Sequence, residues 1–381
     1  MKILVSANVV WWNASAYYAV TAGQALATRG HDVTVLAHRS TPAFQQARDR
    51  GLRAEGGFQF LSRNPMKFWG IQRRIRAWLE REKFDLINPH RPEDHFHLAL
   101  ANRKLKNRAT LARTVSDVRI PAANPFNHWL HQKWTDGLIF CAECARNRYH
   151  QGLKLESKPE KVIYSALDVE AYRSGDWKKN NRFAGLPSPR ISIVARLSPN
   201  KGHRNLIEAA ALILPEIPTA TFIVAGKEEE ISVVELRDYA RQHGVEKAFV
   251  FAGHLEDPRE LIAVSDIGVI ASTESEVISR AAQEFFAFAV PVIASRVNVL
   301  PEMVEDGFNG FLFNPGDAAG LAASVRRLAA DEPLRKQMGE QVLNRVRQRH
   351  DLSVLGRETE AFFSSIMETA KRAKRAIRQN P

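Results

Sequence analysis

Short apolar runs alternate with helix-period stretches from one end of the chain to the other. In the first half Ile3–Ser6, Val33–Ala37, Leu86–Asn88, Thr110–Thr114, Leu138–Phe140 and Val162–Tyr164 read as strands. Between them Ala14–Thr28, Met66–Glu82 and Cys144–Gln151 repeat apolar residues at helical spacing. The second half predicts strands at Ile191–Ala195, Phe222–Ala225, Val250–Ala252, Ile267–Ile270, Val292–Ala294 and Phe311–Phe313. Its helices are expected at Arg204–Leu214, Ser232–His243, Ser279–Phe288, Ala318–Ala330 and Pro333–Arg349.

Such alternation implies α/β architecture with parallel sheets covered on both faces. The polar, proline-bearing stretch Tyr172–Pro189 reads as a linker. The expected organisation is two Rossmann-like, doubly wound domains facing a central cleft. They would span 1–170 and 190–353, joined by a linker at 171–189. A last helix, 354–381, would pack back on the first domain, and its basic tail Lys371–Arg378 would do the same or stand in solvent. In doubly wound sheets ligands bind beyond the carboxyl ends of the strands, so the loops that follow strands are where chemistry belongs.

A chain of 381 residues suits two domains, and 45% hydrophobic with 25% charged residues is ordinary for a folded chain. Cys141 and Cys144, a lone Cys-x-x-Cys, are too few for a disulfide framework and read as small packing residues rather than a zinc or redox pair. Met1–Val5 lacks the pattern of a signal peptide, and no stretch approaches the roughly 18 apolar residues of a spanning helix. The expectation is a cytoplasmic protein, or one lying peripherally on the inner face of a membrane.

The net charge of +12 is uneven: residues 1–168 hold 26 Lys+Arg against 14 Asp+Glu, whereas 169–381 hold 28 of each. A one-sided positive field favours an anionic partner such as a membrane surface, a nucleic acid or an acidic substrate. No nucleic-acid module is recognisable, so nucleic acid is the weaker reading. No Gly-x-Gly-x-x-Gly follows a strand, which disfavours a nicotinamide-dependent oxidoreductase. Phe68, Ile71, Ile75, Trp78 and Leu79 share one helical face, ringed by Lys67, Arg73, Arg74, Arg76 and Arg81. That pattern describes an interfacial membrane helix or, more commonly, a core-packing helix with a solvated basic side.

Three loops after strands carry candidate chemistry. Arg196 leaves the strand Ile191–Ala195, and Lys201 follows in a Pro/Asn/Gly turn, placing two cations where a diphosphate could be clamped. The alternative is two solvated loop charges. Glu276 lies in the loop after Ile267–Ile270, and a helix begins near Ser279, whose start suits a pyrophosphate. Glu276 can accept hydrogen bonds from sugar hydroxyls, and Glu284 can hold both hydroxyls of a ribose; the alternative is a capping Glu and a surface Glu. After the third strand, the backbone of Gly253-His254-Leu255 could read a nucleotide base.

Taken in order, these features resemble the retaining glycosyltransferases of family 4, which have the GT-B fold. The resemblance spans essentially the second half: Arg196-x4-Lys201-Gly202, Phe222–Gly226, Ala263–Ser272, the Glu276-x7-Glu284 element, Pro291–Ser295, Pro301–Phe313 and Pro315-Gly316-Asp317. It implies that Arg196 and Lys201 hold the donor pyrophosphate, Glu276 the sugar and Glu284 the ribose. Val277, Ile278, Ser279 and Arg280 would lie along the donor. Met1–Val5 and Arg29–Val35 match the family's opening more loosely. Where the family carries a Gly pair after the first strand, this chain has Val10–Tyr18; there Asn13 and Ala14 would approach the donor. Trp11 and Trp12 would either stack on an acceptor sugar or pack. The family's Gly-Phe-Gly is Val277-Ile278-Ser279 here, and its Gly pair before Pro301-Glu302 is Asn298-Val299.

By resemblance His90 is the first-domain side chain that touches the transferring sugar. Arg91, Asp94, His95, Arg113, Asp117 and Arg119 are acceptor-side candidates. The histidines and acids after residue 89 also suggest a metal site, but the family's chemistry needs none and the chain has no Asp-x-Asp. The implied activity is retaining, metal-independent and cofactor-free. It moves a sugar from a nucleotide sugar to a glycan or lipid-linked acceptor, in lipopolysaccharide or other surface-polysaccharide synthesis. The altered glycines keep open an inactive relative that serves as a binding protein.

Overall fold

A computed structural model describes residues 1–58, 60, 65–177, 179 and 181–379. The chain forms two units: Met1–Ala166 with Leu352–Pro381, and Leu167–Asp351.

Unit 1 runs β1 (Lys2–Ser6), α1 (Ala14–Ala27), β2 (Asp32–Leu36), α2 (Pro42–Asp49), β3 (Arg53–Glu55), α3 (Pro65–Glu82), β4 (Leu86–Pro89), α4 (Pro92–Arg103), β5 (Thr110–Val115), α5 (Pro125–Lys133), β6 (Gly137–Phe140), α6 (Glu143–Gly152) and β7 (Glu160–Val162). Its seven strands are parallel in the order β3-β2-β1-β4-β5-β6-β7. Unit 2 runs α7 (Val169–Arg173), β8 (Arg190–Val194), α8 (His203–Ile213), β9 (Thr221–Ala225), α9 (Val233–Gln242), β10 (Phe249–Gly253), α10 (Arg259–Ile262), β11 (Ile267–Ile270), α11 (Arg280–Ala287), β12 (Val292–Ser295), α12 (Leu300–Met303), β13 (Gly310–Phe313), α13 (Ala318–Ala330) and α14 (Glu332–Arg349). Its six parallel strands follow β10-β9-β8-β11-β12-β13. The inner strands are short, largely apolar and buried on both faces, as parallel sheets require, whereas the edges β3 and β7 are polar. Polar side chains start several helices: Asn13 caps α1, Ser232 and Glu235 form a capping box on α9, and Asp317 caps α13.

The last helix, α15 (Leu352–Gln379), belongs to unit 1 and lies along α1. Leu355, Phe363 and Ile366 are fully buried. Gly356 permits the approach, since a Cβ there would stand 2.8 Å from the Ala25 carbonyl oxygen. Arg29 pairs with Glu360, and His31 lies beside the same carboxylate.

Several boundaries differ from expectation. The units divide at Ala166, so residues 171–189 lie within unit 2. Asn181 bonds the Glu260 carbonyl and Phe183 enters a core cluster with Ile223 and Leu261. Lys178 and Asn180 of the expected linker lie outside the described residues, as do the tail side chains from 373 onward. On α3 the apolar face is core: Ile75, Trp78 and Leu79 pack with Phe58, Phe84 and Ile87, leaving the basic side in solvent. Strand β3 is a short polar edge with no apolar run to announce it.

Candidate active site

In each sheet the chain winds outward one way and then the other, and the switch lies beside the first strand. In unit 2 it separates β8 from β11, so the loops after these strands meet there. Thr273 N donates to the Asn200 carbonyl at 3.0 Å, tying one loop to the other. Gly202, at φ +73°, sits so close that an added Cβ would stand 2.0 Å from the Ala271 carbonyl oxygen. No other residue fits that position.

Held this way, Lys201 Nζ meets Glu276 Oε2 at 2.5 Å, and the Ser272 hydroxyl donates to the same oxygen at 2.8 Å. The two charged side chains retain 18% and 13% exposure, so water reaches the pair. The loop after β12 supports Glu276 from behind. Val299 N donates to its carbonyl at 3.0 Å, and the Asn298 amide donates to the Glu274 carbonyl at 3.2 Å.

Ser279 and Asn298, which replace expected glycines, sit at φ +44° and +45°. The left-handed backbone is therefore kept although the glycines are gone, at about 1–2 kcal/mol for a residue such as Ser and less for Asn. The Ser279 hydroxyl is buried and has no hydrogen-bond partner among the described residues. Helix α11 starts at Arg280, next to Val277 and the buried Ile278. Glu284 is buried rather than superficial, with Arg280 Nε on its Oε1 at 2.6 Å and Tyr172 beside it. Burial raises its carboxyl above the usual range, against the pull of Arg280.

Arg196 does not join Lys201. Its guanidinium pairs with Glu229, with both side chains well exposed. Gly253 has φ +67° and its carbonyl accepts from Gly226 N at 2.8 Å; His254 is exposed and Leu255 is buried. These residues end β10, the edge strand, two places from β8.

In unit 1 the switch separates β1 from β4. Asp94 is buried, receives the Ser6 hydroxyl, and accepts Asn8 N at 3.0 Å. Burial pushes its carboxyl up to about 6. Asn8 then fixes the loop after β1: it accepts from His38 N at 2.9 Å, donates to the Phe58 carbonyl at 3.1 Å, and its carbonyl takes Arg91 at 2.7 Å. His90 Nε2 lies 2.8 Å from Asn88 Oδ1. The Asn88 amide donates to the Ala112 carbonyl and to Thr114 Oγ1, so its oxygen must accept and His90 Nε2 carries the proton. His90 Nδ1 is left as a buried acceptor without a partner among the described residues. Burial, aided by the nearby Arg113 charge, holds this imidazole neutral with a pKa of about 3.

The remaining candidates scatter. His95 is buried, with Nε2 2.7 Å from Thr135 Oγ1 and its ring against His131, so it braces α4 on α5. Arg113 is buried, donates to the Pro89 carbonyl at 3.1 Å, and makes no carboxylate ion pair among the described residues. Asp117 and Arg119 pair with each other. Trp11 is 76% exposed. Trp12 packs beside Tyr17 on a core cluster. Asn13 spends its oxygen on Ala16 N, and Ala14 is exposed. Ser6, Asn8 and Asn88 were not foreseen; a polar residue at the end of a buried strand is the signal that marks them. Among the described residues no group of three or more His, Cys, Asp or Glu is arranged to hold a metal ion, no helix is long and apolar enough to cross a membrane, and Cys141 and Cys144 form no disulfide.

The family model described as "Glycosyl transferases group 1" matches residues 178–345, and "Glycosyltransferase Family 4" matches residues 15–171. The chain is 24% identical over 303 residues to N-acetyl-alpha-D-glucosaminyl L-malate synthase from Bacillus anthracis, covering 77% of this chain and 78% of that one. It is 30% identical over 153 residues to the lipopolysaccharide core biosynthesis glycosyltransferase LpsE from Rhizobium meliloti, covering 40% and 43%. The crystal structure of HepE from Anabaena in complex with UDP superposes with a TM-score of 0.81 at 21% identity, covering 96% of this chain and all of that one.

Proposed function

Because the chain belongs to glycosyltransferase family 4 and has the GT-B fold, we propose that it transfers a sugar from a nucleotide sugar with retention at the anomeric carbon and without a metal ion. The observation that carries this reading is the Lys201–Glu276 pair at the switch point of unit 2. A cation and a carboxylate meet there from two loops, and each is the partner a donor would need. A bound diphosphate takes the Lys201 ammonium, and the released Glu276 carboxylate, steered by Ser272, accepts the sugar hydroxyls.

Arg196 exchanges Glu229 for the same diphosphate. The start of α11 faces it with a partial charge of roughly +0.5. Glu284 takes the ribose, each charge-assisted bond contributing about 1.5–3 kcal/mol. In unit 1, His90 is neutral and its Nδ1 has no hydrogen-bond partner among the described residues, which leaves it free to accept. The bond from the anomeric carbon to phosphate breaks as the acceptor oxygen attacks the same face, and the leaving phosphate takes the acceptor proton. The protein's part is to stabilise charge on the departing diphosphate.

HepE was crystallised with UDP, so uridine-diphosphate sugars are the first donors to try. The likeness to LpsE supports a surface-glycan acceptor. The test is transfer with a panel of nucleotide sugars, with the product's anomeric configuration read by proton NMR, with and without chelator. Inverted product, or activity lost to chelator and restored by magnesium, overturns the reading.

A further inference from the structure

Helices α3, α4 and α5 carry aromatic rings in an unbroken line that opens to solvent. Met66, Trp69, Phe126 and Trp129 are 82%, 57%, 48% and 38% exposed. Ring centroids lie 5.3 Å apart from Trp69 to Phe68, 6.1 Å from Phe68 to Phe96, 5.5 Å from Phe96 to Phe126 and 6.5 Å from Phe126 to Trp129. These exposed rings are distinct from the buried face of α3. Apolar surface gathered in this way on a folded domain marks an interaction site.

Its charge is as one-sided as its apolarity. Lys104 stands 5.3 Å over the Trp69 ring and Arg103 5.3 Å over Trp129. Residues 95–135 hold seven Lys+Arg; Arg113 is buried and Arg108 and Arg119 pair with Asp136 and Asp117, which leaves Arg103, Lys104, Lys106 and Lys133 as the exposed excess.

We propose that this ribbon docks the protein on an anionic lipid bilayer. Trp69, Phe126 and Met66 enter the interfacial zone, where amphipathic rings are favoured, and Arg103 and Lys104 meet lipid phosphates. A glycan is the poorer fit, because a cation already stands over each of the two exposed indoles on which a sugar would stack. The proposal is independent of donor chemistry, since docking needs no nucleotide.

The test uses the full chain and co-sedimentation with phosphatidylcholine vesicles, alone or containing about a third phosphatidylglycerol. The native protein is expected to bind the anionic vesicles only, and to be released as salt rises to about 0.5 M. The double variant Trp69→Ser/Phe126→Ser, altered only at exposed positions, should bind roughly tenfold more weakly with an unchanged urea midpoint. Lys104→Glu should weaken binding most at low salt. Failure of the native protein to bind, equal binding to neutral vesicles, or native-like binding by the double variant would overturn the proposal. So would loss of vesicle binding to a competing soluble glycan, which would give the ribbon to a sugar. Transfer activity assayed without vesicles reports separately on the glycosyltransferase reading.

Discussion

The two units share a topology and use charge in opposite ways. Unit 1 holds 32 Lys+Arg against 16 Asp+Glu, yet the buried polar groups at its switch point are held by hydrogen bonds rather than ion pairs: His90 is kept neutral by desolvation, Asp94 accepts from Ser6 and Asn8 with its carboxyl pushed up to about 6, and Arg113 donates to the Pro89 carbonyl. Unit 2 holds 22 Lys+Arg against 26 Asp+Glu, yet its switch point is built from ion pairs, Lys201 with Glu276 and Arg280 with Glu284. Net charge therefore says little about where charge performs chemistry. In unit 1 the excess lies mostly on the surface, and the buried polar groups at the switch point, Arg113 among them, are satisfied by hydrogen bonds. In unit 2 opposite charges meet directly, Lys201 with Glu276 across two loops and Arg280 with Glu284 along α11.

Acid should expose this contrast most strongly. His90 and His131 have pKa values of about 3 and about 4, below the ordinary 6.5. Below pH 6.5 the unfolded chain takes up protons that the folded chain refuses, so stability falls as pH drops through this window. For His90 the loss accumulates to on the order of 4–5 kcal/mol by pH 3. Asp94, raised from 3.8 to about 6, favours the folded state as it protonates between those values and offsets part of the loss. Six of the seven tryptophans lie in unit 1, so urea unfolding followed by tryptophan fluorescence reports chiefly on it. His90→Asn should flatten its pH slope; an unchanged slope would mean that His90 is not held neutral.

Phe363→Ala is next, expected to cost about 3–5 kcal/mol, as large cavities do. The loss should appear in the tryptophan signal although residue 363 follows all of unit 2 in the chain. A change confined to unit 2 would contradict the assignment of α15. Lys201→Ala should lower turnover by roughly 10²–10³-fold, the scale seen when one donor to a developing anion is lost. It should leave the tryptophan-detected midpoint in place, and near-normal transfer would remove Lys201 from the mechanism. Gly202→Ala strains a left-handed residue and drives a methyl group into the Ala271 carbonyl, so about 2–3 kcal/mol of unit 2 stability should go. Ser279→Gly should do the reverse by about 1 kcal/mol; a loss of stability there would show that the serine side chain holds the turn.

What could be read from the chain follows the same division. Strands of four or five continuous apolar residues announced both sheets, and Lys201 and Glu276 stood out because each follows such a strand. Helix α4 stayed hidden because its buried face includes Asp94, His95, His97 and Asn102, which erase the apolar period. Helix α5 stayed hidden for the complementary reason, since Phe126 and Trp129 lie on its solvent side. The Arg196–Glu229 pair joins loops 33 residues apart and left no local trace. Ser279 and Asn298 looked like damage to a glycine motif, and only the backbone angles show the turn intact.

The place of α15 in the chain bears on how the molecule is made. Unit 2 is in effect an insertion within unit 1, entered at Leu167 and left at Asp351. As the chain emerges from the ribosome, the first sheet is complete long before the helix that seals α1, so it must wait with that flank uncovered while the later-made unit closes on itself. The N-terminal unit, first to be made, therefore cannot complete its packing until the last helix arrives.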